Sequence, residues 1–376
     1  MTTVDLADPP VTNPFTGTTD LPRAAEGWTQ LVTPDGRLHP DVDVDRDALG
    51  RLTRDLYRGM RLARRLDDEA FALQRQGELG LWLQCRGQEA AQVGSVAAVR
   101  ADDYVFPSYR EHAAALWRGI GPADLLRQWR GVAHSGWDPE PYSFHIYTLV
   151  LAAQMLHATG YALGVQRDGS DMVVVTYFGD GAASEGDASE AMNIAAVNNA
   201  PMVFFCQNNQ WAISTPTASQ TRTPIHRRGA GFGLRSEWVD GNDVLAVYAV
   251  TSAVTGHARA GAGPAIVEAT TYRMGGHSTS DDPTRYRTDD ELQAWRARDP
   301  LARVEALMRA EGWSDEAYLG QIQAEADELA DRTRRECLAL TAPDLADAFA
   351  TVLSDVPQLL REERDAFVAY RASFLD

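Results

Sequence analysis

The stretch YFGDGAASEGD, residues 177–187, completes an apolar run that begins at residue 172 and reads MVVVTYF. A second apolar run, MVFFCQ over 202–207, leads into the pair Asn208-Asn209, and a third, AIVEAT, covers 265–270. Helical patterns over 188–198 and 244–260 lie between these runs. Strands that are apolar along their whole length and alternate with helices are typical of a parallel sheet. The sequence therefore predicts an α/β fold with a parallel sheet flanked by helices on both faces.

Two polar residues stand just past the ends of neighbouring predicted strands, Asp180 after the first and Asn209 after the second. A right-handed crossover makes these strands parallel, so that their carboxyl ends lie side by side where open α/β sheets bind ligands. Carboxylate and amide oxygens suit Mg²⁺, and a phosphate-bearing molecule can complete its octahedral coordination. This arrangement predicts a site for magnesium and a diphosphate.

The glycines on either side of Asp180 support the same prediction. Gly179 and Gly181 allow the backbone to turn sharply and to approach phosphate groups closely. Backbone N–H groups at the start of the following helix, at Ala182 and Ala183, can donate hydrogen bonds to phosphate oxygens. We therefore expect this turn to bind the diphosphate.

Simpler interpretations compete with this site, because an isolated Gly-Asp-Gly is usually a strand-to-helix turn and an isolated Asn-Asn is usually a surface loop. The 26 residues between Gly181 and Asn208 accommodate one crossover helix and one returning strand. The occurrence of both motifs at this spacing is therefore informative. A nicotinamide dinucleotide site requires G-x-G-x-x-G after a strand, and Ser184 replaces the third glycine. The glycine-rich stretch 229–233 follows no apolar strand. We therefore rank the dinucleotide site below the metal–diphosphate site.

The composition excludes several classes of function. Acidic residues outnumber basic ones by 53 to 35, for a net charge of −18, which argues against nucleic-acid and anionic-membrane binding because both require a cationic surface. All the basic residues are arginine, so that neither a Schiff-base lysine nor a P-loop lysine can exist. The stretch 146–165 is too polar for a membrane span, and we expect it to form a buried helix.

The cysteines and the N-terminus indicate a cytoplasmic protein. Cys85, Cys206 and Cys337 are far apart in the sequence and include no close pair of the zinc-binding type. A reducing compartment fits this pattern best. Residues 1–20 contain no basic residue but three aspartates, unlike a signal peptide, which needs a basic start and an apolar stretch.

The periodicity divides the chain into three parts. Residues 1–45 are rich in Pro, Thr, Asp and Gly without periodicity and predict an irregular N-terminal arm, either mobile or docked. Residues 46–300 form the predicted cofactor-binding domain, which starts with an amphipathic helix over 46–76 and has further helices over 88–100 and 122–132. Residues 301–376 are charged and helical, and we expect them to pack on the same domain.

The Gly-Asp-Gly block followed 26 residues later by Asn-Asn resembles the signature of thiamin diphosphate enzymes. FFCQNNQWAISTP, residues 204–216, extends the resemblance to the α subunits of 2-oxo acid dehydrogenase E1 components. Other similar segments between about Leu56 and about Met308 are YRGMRLARRLDDEAFALQRQGEL, PSYRE, AAQMLHATGYALG, VDGNDVLAVY and YRMGGHSTSDD. The resemblance implies the thiamin diphosphate-binding fold, with helical extensions at the N- and C-termini.

The resemblance also implies the metal ligands. In the family, Mg²⁺ is held by the acid of Gly-Asp-Gly, by the second asparagine of the pair and by a main-chain oxygen two residues later. In this sequence these positions are Asp180, Asn209 and the carbonyl oxygen of Trp211.

Several residues are cofactor contacts by the same resemblance. Tyr109 and Arg110 occupy the positions that contact the cofactor, and a guanidinium can hold two diphosphate oxygens at once. The alternative for Arg110 is a surface salt bridge with Glu111. Gln207 stands where the family often has a basic residue that reaches the diphosphate. Leu151 aligns with the segment that meets the aminopyrimidine.

His277 is the candidate catalytic residue. It matches the histidine of a mobile loop near the diphosphate and the reacting substrate, where an imidazole can donate or shuttle a proton. Most histidines are structural or solvated, but this one follows an apolar strand in the sequence Gly-Gly-His-Ser. The stretch 134–142 is shorter than in many family members, so we expect the wall near the thiazolium ring to differ.

The activity that the resemblance implies is oxidative decarboxylation of a 2-oxo acid and transfer of the acyl group to a lipoyl group on an E2 acyltransferase. In the family the acid on the pyrimidine side belongs to the E1 β subunit, so we expect a heterotetramer of two α and two β subunits. A non-catalytic assembly subunit is an alternative, but it would not need the predicted metal and cofactor contacts. HSTSDD and AISTP favour branched-chain 2-oxo acids of the 3-methyl-2-oxobutanoate type, whereas DDPTRYR is also similar to bacterial pyruvate enzymes.

Overall fold

A parallel β-sheet of five strands lies at the centre of the protein in a computed structural model that describes residues 13–15, 21–344, 346–350 and 353–374. The strands are β1 (Tyr104–Phe106), β2 (Val174–Gly179), β3 (Met202–Asn208), β4 (Trp211–Ala212), β5 (Thr215–Pro216), β6 (Arg235–Asp240) and β7 (Ala265–Thr270). The sheet has the order β1-β2-β3-β7-β6 with all neighbours parallel, whereas β4 and β5 form a separate antiparallel hairpin. The predicted α/β fold is confirmed.

Helices cover both faces of the sheet. In the described part of the chain the helices are α1 (Arg46–Arg75), α2 (Glu89–Ala97), α3 (His112–Trp117), α4 (Pro122–Arg130), α5 (Ala153–Arg167), α6 (Gly186–Val197), α7 (Thr217–Gln220), α8 (His226–Phe232), α9 (Val244–Arg259), α10 (Asp289–Arg296), α11 (Pro300–Ala310), α12 (Glu316–Ala339), α13 (Asp347–Ala350) and α14 (Gln358–Ala372), of which α13 and α14 have no buried residues. The bounds of α1, α6 and α9 agree with the predicted helices to within two residues. Within the described residues, no helix combines the length and the apolar character that a membrane span requires.

Alternation along the inner strands divides the core into two layers. On β2, Val175 and Tyr177 pack in the layer that contains α1, α2 and α9, whereas Val174 and Phe178 pack in the layer that contains α5 and α6. Successive side chains of a strand point to opposite faces, so a strand covered on both faces is apolar throughout. Full burial of one such side chain contributes roughly 1.5–3 kcal/mol.

The sequence did not predict the two outer strands, β1 and β6. β1 has only three residues, too few to show a periodic pattern. β6 reads RSEWVD, and its first four residues are only half-buried because it lies at the edge of the sheet. Polar edge strands lack the apolar run that identified β2, β3 and β7.

The described part of the N-terminal arm docks on this edge. The N–H of Thr29 donates to the carbonyl of Trp238 in β6 at 2.8 Å. Leu31 and Val32 are buried, and their N–H groups both donate to Oδ2 of Asp243 at 2.7 Å. The part of the predicted arm over 1–12 and 16–20 lies outside the described residues.

The prediction of one buried helix over 146–165 is wrong. α5 starts seven residues later than predicted, after Ala152, which adopts a left-handed conformation with φ of 65°. The N–H of Thr148 donates to the carbonyl of Ser108 at 3.0 Å, which ties the preceding segment to another loop instead of to a helix. The outer face of α5 is exposed at Tyr161. Local hydropathy does not detect a hydrogen bond between residues so distant in sequence.

Candidate functional site

The carboxyl ends of β2, β3 and β7 lie at one edge of the sheet, where most of the predicted site residues are found. In the register of β2 and β3, Gly179 lies opposite Gln207, so Asp180 and Asn209 follow neighbouring strand ends. A cavity of about 720 Å³ opens at this edge. The predicted site residues that line it are Tyr109, Arg110, Leu151, Gly179, Asp180, Gly181, Ala182, Gln207, Asn209, Trp211 and His277.

Asp180 is a buried acid with neutral hydrogen-bond donors. Its Oδ2 accepts from Oγ1 of Thr217 and from Nε2 of Gln220, both at 2.9 Å. Burial raises the pKa of Asp180, although these two hydrogen bonds act against the rise. Within the part of the chain that the structure describes, no three His, Cys, Asp or Glu side chains gather as metal ligands. A cation at Asp180 would therefore depend on amide and carbonyl oxygens and on a phosphate group.

Asn209 lies in the turn that follows β3. Its Nδ2 donates to Oε1 of Gln88 at 3.0 Å, and its Oδ1 accepts from the N–H of Trp211 at 3.3 Å. The carbonyl oxygen of Trp211, the third predicted metal ligand, accepts from Nη1 of Arg273 at 2.8 Å. A carbonyl oxygen has two lone pairs, so this bond leaves one for a cation.

Arg110 reaches across the cavity from the loop before α3. Its Nη1 donates to the carbonyl of Gln84 at 2.7 Å, and its Nη2 donates to the carbonyl of His277 at 2.9 Å. The ring of Tyr109 meets the ring of His277 edge-on, with centroids 6.3 Å apart. The alternative of a surface salt bridge between Arg110 and Glu111 is wrong, because both residues are buried. Arg110 is thus a permanent cation inside the cavity.

His277 is uncharged at neutral pH and lies on an anchored loop. Burial, together with Arg110 and Arg273, lowers the pKa of His277 to about 4. The backbone N–H of His277 donates to Oδ2 of Asp281 at 2.6 Å, and the hydroxyl of Tyr286 donates to the same carboxylate. Nη2 of Arg273 donates to that hydroxyl at 2.8 Å. Because Arg273 also binds the start of β4, these hydrogen bonds connect the histidine loop to the turn after β3.

The turn after β2 differs from the predicted helix start. A single 3₁₀ turn, Ala182–Ser184, separates β2 from α6. A Cβ atom on Gly181 would lie 2.9 Å from the Cβ of Ala212, so the backbone here approaches β4 closely. Ala182 lines the cavity, whereas Ala183 is buried without lining it. Hydrogen bonds from the N–H groups of Ala182 and Ala183 to a phosphate remain a prediction.

Comparisons with known proteins identify the family. The model of the family described as "Dehydrogenase E1 component" matches residues 57–338. The 3-methyl-2-oxobutanoate dehydrogenase subunit alpha of Mycobacterium tuberculosis is 42% identical over 337 residues, 89% of this chain and 92% of that protein. The mitochondrial 2-oxoisovalerate dehydrogenase subunit alpha 2 of Arabidopsis thaliana is 36% identical over 328 residues, 82% of this chain and 68% of that protein. The pyruvate dehydrogenase E1 component subunit alpha of Staphylococcus epidermidis is 33% identical over 347 residues, 90% of this chain and 92% of that protein. The chain belongs to the dehydrogenase E1 component family.

This membership confirms the predicted resemblance to E1 α subunits, and E1 dehydrogenases in general depend on thiamin diphosphate. The residues at the sheet edge of this E1 chain fit that cofactor. Arg110 supplies a permanent cation at the cavity. Among the described residues, Nε2 of Gln88 and Oε1 of Gln207 are buried at the cavity without hydrogen-bond partners. Such atoms are found where a ligand supplies the missing partner.

Sequence reasoning missed three buried polar residues that line the E1 site, namely Gln88, Glu111 and Gln154. Gln88 binds Asn209, which is 121 residues away in sequence, and Glu111 accepts from Nε2 of Gln207. Nε2 of Gln154 donates to a carbonyl of β2 at 2.8 Å. Gln88 is the first residue of a predicted helix, and Glu111 is the last residue of PSYRE. Neither pattern indicates which strand end the side chain contacts.

Proposed function

We propose that this E1 chain is the α subunit of a branched-chain 2-oxo acid dehydrogenase. In the proposed reaction a branched-chain 2-oxo acid is oxidatively decarboxylated, and its acyl group passes to a lipoyl group on an E2 acyltransferase. The proposal rests on one observation, that Asp180, Asn209, Arg110 and His277 meet around one cavity. The relatives named for branched-chain substrates, at 42% and 36% identity, support the substrate class.

A pyruvate dehydrogenase α subunit is the second candidate. It is favoured by relatives with that name, which are 33% and 35% identical over similar lengths. A nicotinamide dinucleotide enzyme has no comparable support, because most of the glycine-rich stretch 229–233 lies in α8 and not in a strand-to-helix turn. The substrate assay described below separates the two E1 candidates.

Different residues at the sheet edge would bind the metal ion, the diphosphate and the thiamin part of the cofactor. Mg²⁺ would be held by the Asp180 carboxylate, the Asn209 amide oxygen and the Trp211 carbonyl, which are hard oxygen donors of the kind that Mg²⁺ prefers. The diphosphate and thiamin contacts would come from the remaining predicted residues, namely Tyr109, Arg110, Leu151, Gly179, Gly181, Ala182, Ala183, Gln207 and His277. When bound, thiamin diphosphate supplies the nucleophile and the electron sink that decarboxylation requires.

His277 is suited to donate a hydrogen bond as a neutral ring. With its pKa lowered to about 4, the ring is neutral at physiological pH. Nη2 of Arg110, which is always a donor, lies 3.4 Å from Nδ1, and this favours the tautomer with the proton on Nε2. From Nε2 the ring can donate a hydrogen bond to a substrate oxygen, while Arg110 keeps the loop in place through the His277 carbonyl.

The proposed enzyme needs a β subunit, as E1 α subunits in general do. The rim of the cavity carries exposed apolar side chains, with Leu149 at 54%, Leu151 at 42% and Ile213 at 56% of full exposure. Burial of such residues against a second subunit would also exclude water from the reaction. We propose a heterotetramer of two α and two β subunits. The three buried free cysteines are consistent with a place in the reducing cytoplasm.

The test is an assay of the purified chain alone and reconstituted with its β subunit, with thiamin diphosphate, Mg²⁺ and an artificial electron acceptor. We expect turnover only in the complex, and a kcat/KM for 3-methyl-2-oxobutanoate about 10-fold or more above that for pyruvate, as two methyl groups permit. A preference for pyruvate would select the second candidate. Full turnover by the chain alone would refute the need for a β subunit.

A pair of histidine variants tests the catalytic assignment in the same assay. His277→Asn should lower kcat with either substrate. His257→Asn is the matched control, because His257 lies near the C-terminal end of α9, at the amino ends of the strands. Equal effects of the two substitutions would contradict the role of His277.

A further inference from the structure

The first asparagine of the pair Asn208-Asn209 has no role in the proposed function. It is the last residue of β3 and is 6% exposed, and the predicted metal-binding turn follows it directly. That turn is strained, because Gln210 adopts a left-handed conformation with φ of 71°. Glycine takes this conformation freely, whereas other residues keep it only where their surroundings hold them. The contacts of this turn therefore decide where Asn209 and Trp211 lie.

The amide of Asn208 connects the turn to a buried acid on the neighbouring strand. Its Oδ1 accepts from the backbone N–H of Gln210 at 3.1 Å, which supports the left-handed residue directly. Its Nδ2 donates to Oε1 of Glu268, in β7, at 2.8 Å. The hydroxyl of Thr217 lies 3.1 Å from Oδ1, but its single hydrogen has a shorter bond, of 2.9 Å, to Oδ2 of Asp180. The amide of Asn208 thus joins Glu268 to the turn.

Glu268 acts only as an acceptor of hydrogen bonds. It is 3% exposed, and its Oε2 accepts from the backbone N–H of His226 at 2.9 Å and from Nδ1 of the same residue at 2.7 Å. Burial acts to raise the pKa of Glu268, but the hydrogen bonds from His226 and Asn208 outweigh burial and lower this pKa. The acid is therefore ionised at neutral pH and has no hydrogen to donate. The ring of His226 is itself held by stacking on Trp238, with centroids 5.2 Å apart.

Two orientations of the Asn208 amide compete, because its oxygen and nitrogen can exchange places. In the reversed orientation Nδ2 would donate to the hydroxyl oxygen of Thr217, and the N–H of Gln210 would lose its acceptor. Oδ1 would then face the carboxylate of Glu268, and two acceptors with no hydrogen between them repel each other. The ionised acid thus keeps the amide in the orientation that supports the turn.

We propose that Glu268 is a positioning residue for the metal site and that it acts through the amide of Asn208. The inference rests on the proposed function, because the metal site belongs to it. Neither Glu268 nor Asn208 is among the described residues that line the cavity. Their effect reaches the site through the backbone that carries Asn209 and Trp211. Loss of the amide orientation should therefore raise the Mg²⁺ concentration that cofactor binding requires.

A change of one heavy atom tests this proposal. Glu268→Gln replaces one carboxylate oxygen by an amide nitrogen. The backbone N–H of His226 can only donate, so it retains the remaining oxygen, and the new nitrogen faces Asn208 and favours the reversed amide. Calorimetric titrations of thiamin diphosphate into the cofactor-free α–β complex, at a series of Mg²⁺ concentrations, measure the effect. We expect the Mg²⁺ concentration for half-maximal binding to rise about 10-fold, as for other partners that orient a metal ligand.

The same substitution should act differently when position 208 is an acid. In Asn208→Asp a carboxylate faces Glu268 and still accepts from the N–H of Gln210. Glu268→Gln in this background supplies a donor to that carboxylate, so it should lower the Mg²⁺ requirement or leave it unchanged. Both backgrounds lose the same negative charge, so charge alone does not produce this difference. An increase of the same size in both backgrounds would overturn the inference while leaving the proposed function intact.

A second pair of variants decides the question if Glu268→Gln does not fold. Asn208→Ala removes the acceptor of the Gln210 N–H and should raise the Mg²⁺ requirement to a similar extent. Asn199→Ala, just before the opposite end of β3, loses a hydrogen bond of 2.8 Å from Nδ2 to a backbone carbonyl and should keep the wild-type requirement. Equal Mg²⁺ requirements of these two variants would overturn the inference. A wild-type complex that binds no thiamin diphosphate at any Mg²⁺ concentration would overturn the proposed function itself.

Discussion

Two buried aspartates stand at opposite ends of the sheet. Asp103 precedes β1 at the amino end, and Asp180 follows β2 at the carboxyl end. The carboxylate of Asp103 accepts from Nη1 and Nη2 of Arg259 at 3.0 and 2.7 Å, a two-pronged ion pair. Asp180 accepts instead from the neutral side chains of Thr217 and Gln220. One carboxylate is paired with a fixed cation, and the other is held in place without one.

This difference separates an acid that stabilises the fold from one that is proposed to bind the metal. A buried carboxylate without a cation costs free energy, and the raised pKa of Asp180 is a sign of that cost. The ion pair of Asp103 shows that the same sheet can place an arginine beside a buried acid. An acid kept unpaired at a cavity is suited to a ligand that brings its own positive charge, such as a divalent cation.

The largest expected effect follows from removing the charge of Asp180. Asp180→Asn keeps the size of the side chain but removes the anionic ligand, so we expect kcat of the α–β complex to fall by about a thousandfold. The stability of the chain at neutral pH should stay the same or rise, because the desolvated charge is gone. Turnover and chemical denaturation measured on one preparation test both parts. If Asp180→Asn loses its activity because the chain is destabilised, the contrast between Asp180 and Asp103 fails.

The opposite result is expected for Asp103→Asn. Arg259 would lose its buried partner, and stability should fall by roughly 3 kcal/mol, near the lower end for a buried pair because Arg259 is partly exposed. Turnover per folded molecule should remain close to that of the wild type. Arg309→Gln in α11 is the control, because its ion pairs with Glu305 and Glu316 are exposed and do not involve Asp103. Its removal should leave the stability of the chain almost unchanged.

A smaller effect should come from the groups that position Asp180. Thr217→Val keeps the shape of the side chain but removes a hydrogen bond of 2.9 Å to Oδ2. Partners that orient a metal ligand are worth about 10-fold in metal affinity, so we expect the Mg²⁺ concentration needed for cofactor binding to rise by about that factor. Thr255→Val, in α9, removes a hydroxyl that binds only backbone carbonyls and serves as the control. If the two variants require the same Mg²⁺ concentration, Thr217 does not orient a metal ligand.

The central strands could be predicted from the sequence, whereas the edges and much of the polar network could not. β7 matches the largely apolar run 265–270, because a strand buried on both faces is apolar at most of its positions. β6 escaped prediction because RSEWVD, on a half-buried edge, has only two apolar residues and neither an apolar run nor an alternating pattern. Asp180 and Asn209 were found because their positions depend only on where two strands end. Gln88 and Glu111 were missed because their contacts depend on how distant loops approach those ends.

A third buried acid, Asp67 in α1, shows whether an unpaired carboxylate outside the cavity behaves as Asp180 does. Nε1 of Trp82 and the N–H of Cys85 donate to its Oδ1 at 2.8 and 3.1 Å, and Oδ2 has no hydrogen-bond partner among the described residues. Burial raises the pKa of Asp67 to about 7, the bond from Trp82 acts against this rise, and nearby Glu89 adds to it. Asp67 contacts neither the cavity nor the predicted metal ligands, so its protonation should affect stability alone.

The sign follows from the direction of the pKa shift. Because the folded chain binds the proton of Asp67 more tightly than the unfolded chain, this stabilisation is fully present below about pH 4 and is lost as the pH rises to about 7. The difference in unfolding free energy between the wild type and Asp67→Asn should change across this window by at most about 1.4 kcal/mol per pH unit. Denaturant titrations at intervals from pH 4 to pH 8 measure it, with Asp41→Asn as an exposed control. A constant difference would mean that Asp67 is paired after all, and a loss of Mg²⁺-dependent cofactor binding in Asp67→Asn would erase the contrast with Asp180.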